Sequence, residues 1–250
     1  GSNTYGLVVI RQVSDEMTEL LAKVQIPKVF VDLISPHSSF YDYEVRSNDF
    51  GNMINGTTGQ VSTTCILKDV DSRALIDFAA VHNSNNDFAL NGPQNIKANL
   101  RNYWCNGTPL PPLKSSSTEA EVNENFGEFT STVTKLLVLQ ESKGYGELIR
   151  NIKEGNIEEI SPTDEITKAL FNIDMDAEGS NSVRSRQKKE AEDKEASNIY
   201  KAGSVVVFKN LKKNKFGIMI IRSVNVDFDA VKATNDANAT ITFDLYYQRY

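Results

Sequence analysis

Imidazole is the side chain most often used as a base, a proton shuttle or a metal ligand near neutral pH, and this chain has two, His37 and His82. Neither has a second histidine, a cysteine or a carboxylate at a recognised metal-ligand spacing, so no metal site is expected. A serine hydrolase would need one of them as its base, and neither stands in a context that supports that role. The chain has no Gly-x-Ser-x-Gly elbow, no phosphate loop and no dinucleotide glycine fingerprint. Paired carboxylates of the kind that cleave glycosidic bonds meet in space and carry no short motif. With 33 acidic residues, composition does not discriminate for or against them. No catalytic residue and no cofactor are therefore assigned.

Two features suit binding. Tyr103-Trp104 falls in a stretch that reads as loop, beside Cys105-Asn106-Gly107, and exposed aromatic planes with amides nearby stack on sugar rings and other flat ligands. A sole tryptophan is also a common core or rim anchor. The second feature is charge. Between Tyr200 and Val226 stand Lys201, Lys209, Lys212, Lys213, Lys215 and Arg222, with no acid among them. Such a hairpin attracts an anionic ligand or an anionic membrane surface. A lysine-rich turn equally serves as a soluble edge guarded against aggregation.

The chain has 250 residues, 40% of them hydrophobic and 24% charged, enough for a sizeable core and against wholesale disorder. Its net charge of -6 opposes binding to a phosphate backbone, so nucleic acid is not an expected partner. No apolar run approaches the roughly 18 to 20 residues that cross a bilayer. The leading Gly1-Ser2 resembles a cloning remnant, which leads to the expectation that a native leader precedes the natural chain. Cys65 and Cys105 fall short of a disulfide framework and of four zinc ligands. They either pair in an oxidising compartment or remain separate, partly buried thiols. Asn55-Gly56-Thr57, Asn106-Gly107-Thr108 and Asn238-Ala239-Thr240 match the glycosylation sequon, which matters only in a eukaryotic secretory route.

The elements that must position these residues are mostly strands. Thr240–Tyr247 alternates apolar and polar residues with the period of a strand buried on one face. Tyr200–Lys209 and Phe216–Val226 read as two further strands joined by the basic turn. Their centres, Val205–Phe208 and Ile218–Ile221, are apolar on both sides, as in strands covered twice. Earlier strands are expected at Tyr5–Val13, Val29–Ile34, Phe40–Val45, Val61–Leu67 and Leu75–Val81, the last leading into a turn at Asn83–Asp87. Asn48–Gly59 and Asn91–Ser117 read as loop, and Val133–Leu139 as strand or helix.

Three helices are expected. One follows Ser14, with Met17, Leu20, Leu21 and Val24 on one face and Pro27 as its stop. A short acidic helix starts from the capping box at Thr118–Glu121 and runs to Phe126. The third starts at Ser161-Pro162, with Asp164 and Glu165 in its first turn and Ile166, Ala169, Leu170 and Ile173 on its inner face. From Asp176 to Asn198 apolar residues nearly vanish, which predicts a solvated helix or mobile linker. The expected architecture is α+β: one domain over residues 1–250, a mainly antiparallel sheet forming a sandwich or partly closed barrel, with two or three flanking helices and a charged mobile segment at 176–198.

The closing strands, Tyr200-Lys201-Ala202-Gly203-Ser204 through Phe208-Lys209, then Lys215-Phe216-Gly217-Ile218, then Ile241-Thr242-Phe243-Asp244-Leu245-Tyr246-Tyr247-Gln248, resemble those of certain Bacteroidetes surface lipoproteins. Some of these resemble the haem-binding HmuY-like group. Ala74–Val81 and the turn at Ala89–Pro93 are similar to earlier parts of such proteins. The resemblance carries over no haem ligand, because no matched histidine pair is present. It implies an exported, lipid-anchored, non-enzymatic protein of the cell envelope, at the outer surface or in the periplasm. Its partner would be a glycan, haem, another small molecule or a surface protein. A glycan hydrolase working through carboxylates and a structural or adhesive module are the alternatives.

Overall fold

The structure, a computed structural model, describes residues 21–32, 52–82, 87–102, 104–105, 108–110, 112–114, 116–154, 165–186, 198–226 and 238–248. The chain enters through β1 (Leu21–Asp32), β2 (Met53–Asn55) and β3 (Gln60–Ser62), then a 3-10 turn and the short α1 (Val70–Arg73). A hairpin of β4 (Phe78–His82) and β5 (Asp87–Asn91) follows. A 3-10 helix over Pro93–Asn102 leads to the small ribbon β6 (Trp104–Cys105) and β7 (Thr108–Pro109). Next come α2 (Glu119–Thr130), β8 (Thr134–Val138), α3 (Gly146–Glu154), α4 (Glu165–Phe171) and β9 (Ser182–Arg186). The chain closes with the meander β10 (Val205–Asn210), β11 (Lys215–Val226) and β12 (Asn238–Gln248).

The strands form two five-stranded sheets, ordered β1-β12-β11-β10-β8 and β3-β2-β4-β5-β9, and every pairing between strands within them is antiparallel. They stack face to face as a sandwich, so the architecture is α+β and mainly antiparallel. Val206, Phe208, Met219, Ile221, Ile241, Phe243, Leu245 and Tyr247 of the first sheet share one buried core with Ile54, Phe78, Ala80, Phe88, Leu90 and Val183 of the second. Phe78 meets Phe208 edge to face at 5.0 Å between ring centres. Gly217 is needed beneath that contact, because a Cβ there would lie 2.5 Å from the Phe208 ring.

The side chains of the meander alternate between faces, so its second apolar set points outward. Val205, Val207, Ile218, Ile220 and Tyr246 pack against Leu148, Ile149 and Ile152 of α3 and Ile166 and Leu170 of α4. This is why Val205–Phe208 and Ile218–Ile221 are apolar throughout: both are covered twice. The second sheet is covered in the same way. Met53, Ala79, Val81 and Ala89 pack against Ile96 and Leu100 of the 3-10 helix and Val122, Phe126 and Phe129 of α2. Thr118 accepts from the Glu121 amide at 3.3 Å while the Glu121 carboxylate accepts from the Thr118 amide at 2.6 Å, so the predicted capping box starts α2. The helix runs past Phe126 to Thr130, with a kink at Phe126.

Several expectations are corrected. Leu21 and Val24, placed on a helical stripe, belong to β1, which pairs with β12 from Leu21↔Gln248 to Asp32↔Asn238. Pro27 coincides with a shift of that ladder between Ile26 and Val29 and not with a helix end. A long neighbouring strand with an open edge outweighs local helical spacing, because pairing satisfies the backbone along its whole length. Met53–Asn55, expected as loop, is strand with all three residues buried. Three residues are too few to show a period. Asn55 is buried by using its side chain locally: its Oδ1 accepts from the amides of Thr57 and Thr58 at 3.0 and 3.3 Å.

Part of the expected linker, Ser182–Arg186, is β9, paired with β5 and placing Val183 fully in the core. One apolar residue sufficed because the rest of the strand lies at an edge. Strand β4 begins at Phe78 and not Leu75, Val61–Leu67 divides into β3 and a 3-10 turn over Thr64–Lys68, and Asn91–Ser117 contains the 3-10 helix and the β6–β7 ribbon. Val133–Leu139 resolves as β8. The helix expected from Ser161 is α4, described from Glu165, with Ile166 and Leu170 buried and Ala169 and Ile173 packed beside them. Tyr5–Val13, Phe40–Val45, His37, Ser14, Met17, Leu20 and Ser161–Asp164 lie outside the described residues.

Candidate functional site

The basic hairpin is where the fold assembles groups with something to bind. The turn between β10 and β11 is closed by the Lys213 amide donating to Asn210 Oδ1 at 3.1 Å, and Asn214 takes a left-handed φ of 50°. Asn tolerates that region better than most residues, which lets lysines stand on either side of it. On the outward face of this hairpin a cavity of about 390 Å³ opens beneath α4. Leu170, Phe171, Ile173 and Met175 form one wall, and Val207 and Phe216 form the floor. Lys209, Lys213, Asn214 and Lys215 form the rim, and none of the lining residues is acidic. Phe171 meets Phe216 edge to face at 4.7 Å, yet remains 51% exposed.

The three lysines are not equivalent. Lys213 turns inward, donating to Asp77 Oδ1 at 2.9 Å and to the Leu75 carbonyl at 3.0 Å. Asp77 is fully buried where the two sheets meet. It also accepts from Asn210 Nδ2 at 2.7 Å, from the Gly56 amide at 2.7 Å and from the Tyr247 hydroxyl at 3.3 Å. Such multiple donation supplies the hydrogen-bond partners that a buried carboxylate loses on leaving water. Burial, reinforced by the Asp77 charge, pushes the Tyr247 hydroxyl well above its ordinary range. Position 56 must be glycine here: a Cβ would stand 2.7 Å from the Tyr247 ring and 3.0 Å from the Asp77 carboxylate.

By contrast, the side chains of Lys209 and Lys215 make no hydrogen bond or ion pair among the described residues. Lys209 is flanked in register by Phe216 on β11 and by Lys135 on β8, so two lysines stand opposite each other on neighbouring strands. Lys212 faces away, donating to the Glu128 carbonyl and to Ser131 Oγ. At the far end of the same outer face, Arg222 pairs with the buried Asp244, its Nε donating at 2.8 Å. Beyond α4, the Tyr145 hydroxyl donates to Glu178, and burial with that bond pushes it up to about 12.

The other sequence candidates do not gather here. Trp104 lies on β6 opposite Pro109, while its side chain and Tyr103 lie outside the described residues. Cys65 and Cys105 form a disulfide that ties the 3-10 turn of Thr64–Lys68 to β6. The backbone of His82 ends β4. Among the described residues no three His, Cys, Asp or Glu side chains converge on a metal position, and no helix is long and apolar enough to cross a membrane. Sequence reasoning missed Asp77 altogether. Its one visible sign was an acid set inside the apolar run Leu75-Ile76-Asp77-Phe78.

The fold and this site define an antiparallel sandwich with a cavity on its outer face lined by apolar side chains and lysines. No family model, no curated protein and no solved structure matches the chain.

Proposed function

We propose that the protein is a non-catalytic binding module that takes up a small amphiphilic anion in the cavity beneath α4. The observation that carries this reading is the composition of the cavity: apolar side chains beside lysines, with no acid among the lining residues. An apolar body gains from leaving water against Leu170, Phe171 and Phe216, and a negative head gains from the rim, so one molecule satisfies both halves. Catalysis finds less support. Among the described residues the two buried carboxylates, Asp77 and Asp244, are each committed to a cation. A glycosidase needs a pair of carboxyl groups facing across a substrate.

The setting we propose is the cell envelope, at the outer surface or in the periplasm. The Cys65–Cys105 disulfide supports it, since such bonds persist in oxidising compartments. Titration with 8-anilinonaphthalene-1-sulfonate, an amphiphilic anion whose emission rises in apolar surroundings, tests the reading. Saturable one-to-one enhancement is expected, and it should vanish in Met175→Trp, which fills the cavity, while thermal unfolding shows that variant still folded. Absence of saturable binding, or unchanged binding in folded Met175→Trp, refutes it.

A further inference from the structure

We infer that Asn55-Gly56 is a latent deamidation site, and that Asp77 is the residue that holds the reaction in check. Asparagine followed by glycine is the pair most prone to this change, because glycine has no side chain to shield the backbone nitrogen or restrict its rotation. The Gly56 nitrogen would lose its proton and bond to the side-chain carbonyl carbon of Asn55, expelling the side-chain amide as ammonia. Water then opens the cyclic imide on one side or the other, leaving an aspartyl or an isoaspartyl linkage.

The fold requires both members of this pair. A Cβ at position 56 would stand 2.7 Å from the Tyr247 ring and 3.0 Å from the Asp77 carboxylate, so only glycine fits. Asn55 ends β2 and shapes the turn that follows, its Oδ1 accepting from the Thr57 and Thr58 amides at 3.0 and 3.3 Å. Aspartate could accept the same bonds, but it would bring a second charge into a buried position. The same structure withdraws both reacting groups. The Gly56 amide donates to Asp77 Oδ2 at 2.7 Å in a buried, charge-assisted bond, which must break before the nitrogen can turn on Asn55. The Asn55 carbonyl is held by the two threonine amides, and its backbone is fixed in the β2–β3 ladder opposite Gln60. Asn91-Gly92 is guarded without Asp77, since the Gly92 amide donates to the Asn181 carbonyl at 2.9 Å. An isoaspartyl linkage at position 55 would lengthen the main chain by a methylene and displace Gly56 from Asp77 or Asn55 from Gln60.

Incubation of the whole chain at mildly alkaline pH, with peptide mapping that separates asparaginyl, aspartyl and isoaspartyl forms, tests the assignment. In the folded parent Asn55 should convert at least about tenfold more slowly than in the same chain held in urea, because reaction waits on local opening. Asp77→Ala, at a temperature where thermal unfolding shows it folded, should convert Asn55 at least about tenfold faster than the parent, while Asn91 stays slow. Lys213→Met separates loss of the guard from loss of stability: it weakens the same junction but leaves the acceptor of the Gly56 amide in place, so Asn55 should remain slow. Conversion in folded Asp77→Ala no faster than in the parent overturns the assignment, and so does Lys213→Met converting as fast as Asp77→Ala. Should Asp77→Ala fail to fold, hydrogen exchange in the parent decides. The Gly56 amide should then be protected like the core amides of β4, and exchange as fast as in an unfolded peptide overturns the assignment.

Discussion

Replacing Lys213 by Met removes the only cation that, among the described residues, pairs with the fully buried Asp77, and preserves most of the lysine's apolar stem. Asp77 keeps its bonds from Gly56, Asn210 and Tyr247, but those donors are dipoles and do not cancel a full charge. Breaking a buried ion pair from one side costs about 3–5 kcal/mol, because the charge left behind is stranded. The Lys213 side chain is 22% exposed, so water already screens part of this pair. The expected loss is therefore smaller, about 2–3 kcal/mol. Urea denaturation of the parent, Lys213→Met, Asp77→Asn and the double variant at neutral pH measures it. The double variant should be more stable than the sum of the single losses implies, with a coupling of about 1–2 kcal/mol, because removing both charges strands neither. A loss below about 0.5 kcal/mol in Lys213→Met, or additive single losses, would refute the claim that Lys213 compensates the buried Asp77.

Leu170→Ala should cost about 2–5 kcal/mol by opening a void beneath α4, where Leu170 is 5% exposed, and a melting curve within a few tenths of a kcal/mol of the parent would show the helix face to be solvated. Reducing the Cys65–Cys105 bond releases a closure of 40 residues, which on loop entropy costs about 4 kcal/mol, measurable as a lower urea midpoint with a thiol reductant present. The Thr118 amide and hydroxyl hold the Glu121 carboxyl below its usual range. A depressed folded value means that its contribution is complete above the unfolded pKa and is lost as pH falls through the folded one. Glu121→Gln, which removes the titrating group, should thus lower stability at neutral pH and flatten the acid limb of the stability profile, seen by denaturation across pH, and an unchanged limb would count against this contribution.

What the sequence determined by itself is whatever short-range chemistry dictates. The alternation in Ile241–Tyr247, the doubly apolar runs at Val205 and Ile218, the Thr118–Glu121 capping box and the Ile166–Leu170 face each follow from spacing or from groups within four residues. The same holds for the basic hairpin: its lysines and its lack of acids are visible in the bare chain. What only the tertiary structure decided depends on partners far along the sequence. Strand β1 exists because β12 offers it an edge more than two hundred residues away, and β9 because β5 leaves its other edge unpaired. Whether Cys65 met Cys105 was open until β6 and the Thr64–Lys68 turn were brought together. Asp77 looked like one acid among many, and its meaning came from Gly56, Asn210, Lys213 and Tyr247 arriving from three separate parts of the chain. The division of the lysines was equally hidden. Lys213 and Lys209 are the same residue type four positions apart, and only the fold turns the first onto a buried carboxylate while leaving the second on the outer face beside the cavity, because a side chain's electrostatic role is set by what surrounds it in space.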